Sequence, residues 1–274
     1  MRFAHVGGDR RLASPGLVGV CPSCEVAVIP KCGPIRVHHW AHRGDRDCDH
    51  WWEPRTEWHV RWQDQFPAVW EEVIRYGPSG EKHIADVHTP NGLTIEFQYS
   101  HMRAEERAAR EAFYSNLIWV VACTRLKTAL PRFAAAGQLF RRVDQGIYLV
   151  PNSREAFPAT WLSCRAPVFF DFEGAPGLAD ETKSIVAPLW CLLPTTNDGE
   201  TVLLRFNRDD FVRLAHQSAQ MPPARVLQRV TATVSHWEQA ERRRAARFWR
   251  EFAHRAKERD RNPRKWRPRG PARF

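Results

Sequence analysis

The sequence predicts an α/β core set between a small Cys/His module and a basic C-terminal helix. Three observations predict it. Residues 56–125 read as helix, strand, strand, helix, strand. Four of the seven cysteines fall within the first 48 of 274 residues, and residues 241–274 carry 14 Lys/Arg against 4 Asp/Glu. With 43% hydrophobic residues and 12 Trp, the chain has the apolar material for a buried core. The expected organisation is a Cys/His zinc-binding module at 1–55, the core at 56–150, a β-containing extension at 151–222 and a basic helix with its tail at 223–274.

Residues 1–55 show little helical periodicity. The first helix is expected near Thr56, a good N-cap, because Trp58, Trp62 and Phe66 recur at a spacing of four and form one apolar stripe. An extended segment, 69–76, ends in the turn sequence Gly77-Pro78-Ser79-Gly80. Strands are expected at 82–88 and 93–99, joined by Thr89-Pro90-Asn91-Gly92, a hairpin-turn signal. A helix over 102–114 follows, with Ser100 as its cap. Leu117–Ala122 is a continuous apolar run suited to a strand buried on both faces. Beyond it come a helix, strands at 146–150, 168–172 and 201–206, and a long helix from about Ala224 to Asn262-Pro263.

The formal charge of +10 lies entirely in the tail, since the first 240 residues carry 27 basic and 27 acidic side chains. A basic tail on a neutral body predicts a polyanion partner, because Lys and Arg neutralise phosphates and release counterions. Arg243, Arg247, Arg250, Lys265 and Arg267 are the expected phosphate contacts, and Trp249 and Trp266 could stack on bases. The plainer alternative is a solvated tail that only maintains solubility. No run of about 18 apolar residues exists to span a bilayer. The start of the chain lacks a secretory apolar run, so a cytoplasmic location is expected.

Two groups of residues carry chemistry. In His83-Ile84-Ala85-Asp86-Val87 and Thr94-Ile95-Glu96-Phe97-Gln98, strand alternation puts Asp86 on one strand and Glu96 with Gln98 on one face of the next. Two carboxylates that face each other across a hairpin repel, and a divalent cation between them relieves the repulsion. Phosphodiester hydrolysis uses such a cation to polarise the phosphoryl group and activate water. Glu57, on the first turn of the preceding helix, could reach the same cation, and the Gln98 amide could orient the water.

In the second group, Cys21-Pro22-Ser23-Cys24 offers two thiolates to one ion and His39-Trp40-Ala41-His42 offers two imidazoles, a set that suits tetrahedral zinc. Cys32, His38, Cys48 and His50 are rival ligands, and Cys21, Cys24, Cys32 and His39 form an alternative set. A metal-free loop of buried thiols is the plainer reading.

At these residues the sequence resembles a known family. Glu57-x-His59, Ala85-Asp86-Val87, Ile95-Glu96-Phe97-Gln98-Tyr99-Ser100, Arg107-x-x-Arg110-x-x-x-Tyr114 and Ile118-Trp119-Val120-Val121 look like the nuclease domain of the competence protein CoiA family, within the PD-(D/E)XK nucleases. The Cys-x-x-Cys and His-aromatic-Ala-His elements over 21–42 look like the zinc element such proteins often carry. The resemblance implies a restriction-endonuclease-like mixed sheet flanked by helices and a Mg²⁺- or Mn²⁺-dependent deoxyribonuclease. By it, Asp86 and Glu96 are metal ligands, Glu57 is the helix acid, Gln98 stands where the motif prefers lysine, and a structural Zn²⁺ sits in the N-terminal module. Arg61 or Arg110 is then expected to supply the missing positive charge and to contact nucleic acid. The implied partner is double- or single-stranded DNA. The sequence leaves the oligomeric state open, a homodimer among the options. A non-catalytic DNA-binding protein is the alternative that the Glu-x-Gln departure keeps in view.

Overall fold

Short strand-forming stretches punctuated by glycine turn residues 1–44 into a sheet. In the computed structural model, which describes residues 1–44, 48–51, 53–173, 187–194 and 201–261, five antiparallel strands occupy this region. They are β1 (Phe3–Val6), β2 (Asp9–Leu12), β3 (Gly19–Val20), β4 (Ala27–Lys31) and β5 (His39–His42), in the order β2-β1-β3-β4-β5. Gly7 and Gly8 take positive φ between β1 and β2, the backbone that a tight hairpin requires. Ala4, Ala13, Val28 and Trp40 pack with Cys21 into a core of their own.

The second sheet has nine strands in the order β10-β11-β14-β13-β12-β9-β8-β7-β6. These are β6 (Glu71–Tyr76), β7 (Lys82–His88), β8 (Thr94–Gln98), β9 (Leu117–Ala122), β10 (Arg141–Asp144), β11 (Ile147–Val150), β12 (Val168–Asp171), β13 (Leu189–Leu192) and β14 (Thr201–Phe206). β9 lies parallel to β8 on one side and to β12 on the other, and the remaining neighbours are antiparallel. The sheet is therefore mixed. Every residue of β9 is buried, as its unbroken apolar run anticipates. The strands of 151–222 continue this sheet, because a central strand that is apolar on both faces needs a partner along each edge.

Helices α1 (Glu57–Gln63) and α2 (Ala104–Phe113) flank the strands β6–β9. α1 starts where expected: the Thr56 hydroxyl accepts from the His59 backbone N–H and His59 Nδ1 accepts in return from Thr56 N–H at 3.3 Å. Its Trp58 and Trp62 indoles each donate to Asp171 Oδ2 at 2.9 Å, which pins the helix to the end of β12. α2 departs from the expectation at its cap. Arg103 is the N-cap, without a side-chain bond, because the Ser100 hydroxyl is already engaged with Glu53. The buried face of α2 carries Arg107 and Arg110, each neutralised by acids: Glu111 for the first, Glu96 and Glu106 for the second.

After β9 come α3 (Ala129–Gly137), two short helices α4 (Ser153–Ala156) and α5 (Ala159–Leu162), and α6 (Arg208–Gln217). The periodicity of the last segment becomes one helix, α7 (Ala224–Arg261). Residues 1–224 and 225–274 form two separate units. Among the described residues, no helix is long and apolar enough to cross a membrane.

Within the first unit Glu72 joins the two sheets. It lies in β6 between the paired residues Glu71 and Val73, with φ +46°. Its carboxylate accepts from the backbone N–H groups of Arg2 at 2.6 Å and Phe3 at 3.1 Å and pairs with Arg55, so β1 is tied to the rim of the large sheet.

Candidate functional site

Two carboxylates on neighbouring strands open onto a cavity of about 60 Å³. Asp86 comes from β7 and Glu96 from β8, and the Asp86 carboxylate accepts from the backbone N–H of Phe97 at 2.9 Å. Around them stand Glu53, Arg55, His59 and Arg110. The volume holds a few water-sized groups at about 10–15 Å³ each.

Burial pushes Glu96 up to about 8, and the Asp86 charge adds to the shift while Arg110 opposes it. Asp86 is also raised, by burial first, with His59 and Arg55 acting in the opposite sense. Glu53 behaves differently: burial would raise it, but hydrogen bonds from His59 and Ser100 outweigh burial and hold it below the usual carboxylate range. Of the five acids that line the cavity, Asp49, Glu53, Glu72, Asp86 and Glu96, the strand pair Asp86 and Glu96 is thus raised while Glu53 is lowered.

The charge is incompletely compensated. Arg110 Nη1 donates to Glu96 Oε2 at 2.8 Å and Nη2 donates to the Trp51 carbonyl at 2.6 Å and to Glu106 at 2.7 Å. Among the described residues four buried polar side-chain atoms lack a partner, and two of them, Glu96 Oε1 and Arg110 Nε, belong to this cluster. An oxygen without a donor beside a second carboxylate fits an oxygen-seeking divalent cation.

Three sequence expectations need correction here. Glu57 is exposed and does not line the cavity, because Trp58, His59 and Trp62 set the buried face of α1. The acid that enters instead is Glu53, upstream of the N-cap, where no periodicity marks it. Its oxygens accept from His59 Nε2 at 3.1 Å, Tyr99 N–H at 3.3 Å, Gln98 Nε2 at 3.1 Å and the Ser100 hydroxyl. Since His59 Nδ1 accepts from Thr56 N–H, its Nε2 carries the proton donated to Glu53 and to the Phe97 carbonyl. Gln98, expected to orient water, is buried outside the cavity with its amide on Glu53 and the Ser100 carbonyl. Of the two arginines expected to supply charge, Arg110 lies in the cavity and is buried by its ion pairs, whereas Arg61 is exposed on α1. A buried Arg110 is no surface contact for nucleic acid.

A second cluster lies in the N-terminal module. Cys21, Cys24, His42 and Cys48 place one ligand atom each within 4.8 Å of one another. Cys24 Sγ is 3.2 Å from His42 Nε2 and Cys21 Sγ is 3.6 Å from Cys48 Sγ, separations close to the edges of a tetrahedral zinc site. The Ser23 N–H donates to Cys21 Sγ at 3.3 Å, and Glu25 turns the loop with φ +60°. Burial raises both Cys21 and Cys48, the latter to about 12, so the cluster gains most from an ion that keeps its sulfurs as thiolates. A metal such as zinc fits this set.

The expected ligand His39 is replaced by Cys48. His39 and His42 lie three apart on β5 and so point to opposite faces of the strand; the His39 ring turns to the Val37 carbonyl at 2.9 Å. Strand alternation was the signal that could have excluded it.

Of the expected nucleic-acid contacts, Arg243, Arg247 and Arg250 are exposed on α7, as is Trp249. Lys265, Trp266 and Arg267, with the helix stop at Asn262-Pro263, lie outside the described residues.

Residues 20–50 match the family model described as competence protein CoiA, N-terminal domain. The match spans the zinc-type cluster and Asp49 at the edge of the acidic cavity, and ends before Glu53, Asp86 and Glu96. No curated protein and no solved structure matches the chain.

Proposed function

We propose that this protein is a divalent-metal-dependent nuclease of the PD-(D/E)XK type that hydrolyses DNA phosphodiester bonds, with a structural zinc in its CoiA-like N-terminal module. The observation that carries the reading is the pair Asp86 and Glu96, facing one cavity from adjacent strands, with Glu96 Oε1 unpartnered. Support comes also from the order of elements. α1, three antiparallel strands β6–β8, α2 and a parallel β9 follow one another within a mixed sheet, and a mixed sheet flanked by helices is what the family resemblance implies. DNA processing, recombination and phage defence are the settings such an activity suits.

Asp86 and Glu96 are the residues to hold Mg²⁺ or Mn²⁺. Such a cation supplies polarisation of the phosphoryl oxygens and a water of lowered pKa. The protein's own groups do the rest. Glu53 and His59 fix the β8 backbone at Phe97 and Tyr99, so the second acid is held in register with the first. Arg110 neutralises Glu96 and supplies a fixed positive charge beside the acid pair, where the motif's lysine is replaced by Gln98.

A second reading, a catalytically inactive zinc-containing DNA-binding protein, draws on two of these features. Gln98 carries no charge, and Arg110 already occupies one oxygen of a proposed ligand. Linear, circular and single-stranded DNA incubated with the purified protein, with and without Mg²⁺, separates the two readings. Mg²⁺-dependent cutting of any of them is the result expected. Binding without cutting, in Mg²⁺ and in Mn²⁺, selects the inactive binder.

A further inference from the structure

The chain leaves the cysteine cluster at Cys48 and at once lines the acidic cavity with Asp49, Trp51 and Glu53. Asp49, buried next to the cluster ligand, accepts from Trp51 N–H at 3.0 Å and contacts His83 Nδ1 at 2.9 Å through Oδ1. Its Oδ2 accepts from Ile84 N–H at 2.8 Å, two residues before Asp86 on β7. Both oxygens are occupied, so Asp49 serves as a clamp on β7, although Asp49, His50 and His83 lie close enough together to resemble a second metal group.

Trp51 stacks on the His83 ring at 3.2 Å between centroids, and its carbonyl receives the same Arg110 that holds Glu96. Glu53 then accepts from α1 and β8. On the other side of the cluster, Lys82 at the head of β7 donates to the Ser23 carbonyl inside the Cys21–Cys24 turn. Residues 48–51 and 53 lie in no helix or strand, so their placement depends on what anchors them.

We propose that the Cys/His cluster governs the acidic cavity through this strap, with Asp49 and Glu53 as positioning residues: metal in the cluster fixes the strap, and the fixed strap raises the cavity's affinity for a divalent cation. The inference rests on the reading of the cavity as a cation site. Loss of the metal frees one end of an irregular segment, and the conformational freedom it regains opposes the ordered arrangement of Glu53 and of the Asp49 clamp. Coupling of this kind is reciprocal, so cation in the cavity slows release of metal from the cluster.

The test uses the full chain loaded with zinc and Mn²⁺ as the probe of the cavity. Mn²⁺ affinity is measured by titration calorimetry for zinc-loaded protein, for protein stripped of zinc with a chelator, and for Asp49→Ala, which keeps all four cluster ligands. Zinc release to a chromogenic chelator is followed with and without saturating Mn²⁺. Expected are Mn²⁺ binding about 5- to 100-fold weaker in the stripped protein and in Asp49→Ala, and zinc release slowed by Mn²⁺ in the wild type. A clamp that served only to hold the fold would leave zinc release indifferent to Mn²⁺. The release experiment needs no variant, so it stays decisive should Asp49→Ala misfold. Wild type that binds Mn²⁺ equally with and without zinc, and releases zinc at one rate, overturns the coupling alone. Wild type that binds no Mn²⁺ overturns the cation site and the coupling with it.

Discussion

Glu96 is caught between two opposite influences, the Arg110 guanidinium on Oε2 and the Asp86 carboxylate close by, and burial tips the balance toward protonation. Its pKa in the folded protein, about 8, lies above the ordinary glutamate value of about 4.3. A carboxyl raised in this way stabilises the fold fully below its unfolded pKa and loses that contribution as pH rises through about 8. Cation binding must displace the proton. We therefore predict that Mg²⁺ affinity climbs with pH by up to roughly tenfold per unit and levels off above about 8, with a proton released per ion on the acid side. Calorimetry in buffers of different ionisation heat reads that proton directly. Glu96→Gln should abolish the dependence, and a flat profile in the wild type would remove Glu96 from the ligand set. At this scale the sequence was legible where strand alternation decided the matter, as for Asp86 and Glu96. It misled where a residue sits off a regular element: Glu53, before the N-cap, follows no period, and Glu57 was credited with its place.

Single elements show why some expectations held. The 82–88 strand, the 117–122 strand and the α1 start follow from alternation, an unbroken apolar run and a capping box, and each has its origin within a few residues. β13 went unseen because its partners β12 and β14 lie across long connections, and β10, although it forms a tight hairpin with β11, because its sequence Arg141-Arg142-Val143-Asp144 offers almost no apolar signal. Two predictions belong here. Asp171 is fully buried and takes both α1 indole donors at 2.9 Å. Asp171→Ala leaves those donors and the partly exposed Arg208 without their carboxylate, and a loss of about 3 kcal/mol in urea unfolding is expected; a change below about 0.5 kcal/mol would show that α1 is held by packing alone. The β5 strand yields the other. Because His39 and His42 face opposite ways, Cys48→Ser and His42→Ala should each reduce zinc content from about one per chain, while His39→Ala should leave it unchanged by elemental analysis. Zinc lost on His39→Ala would restore the ligand set first expected from the spacing.

Taken as a whole, the molecule separates charge from chemistry. The acidic cavity lies in the unit 1–224, whereas the +10 surplus lies in residues 241–274. Arg243, Arg247 and Arg250 and the exposed ring group Phe248, Trp249 and Phe252 share α7. Removing 241–274 should weaken DNA binding and flatten its salt dependence by about one unit of slope per lost phosphate contact. An unchanged slope in a filter-binding series would assign the tail to solubility. Composition made this polarity legible from the start, since charge counts need no fold. The joining of both sheets through Glu72, at a positive φ within β6, and the bonds made by Asp49 and Glu53 were not legible, because no periodicity marks them.

The most direct measurement of the central claim is the rate of DNA cleavage in Mg²⁺ by the wild type, Asp86→Ala, Glu96→Ala and Glu57→Ala, each verified to retain zinc and to bind DNA. The account predicts that Asp86→Ala and Glu96→Ala fall by at least about a thousandfold, since removing a ligand removes both phosphate polarisation and water activation. Glu57→Ala, exposed on α1, should cut within about twofold of wild type, well inside the experimental spread of surface substitutions. Wild-type rates in Asp86→Ala and Glu96→Ala, or no cleavage by wild type with either Mg²⁺ or Mn²⁺, would contradict it.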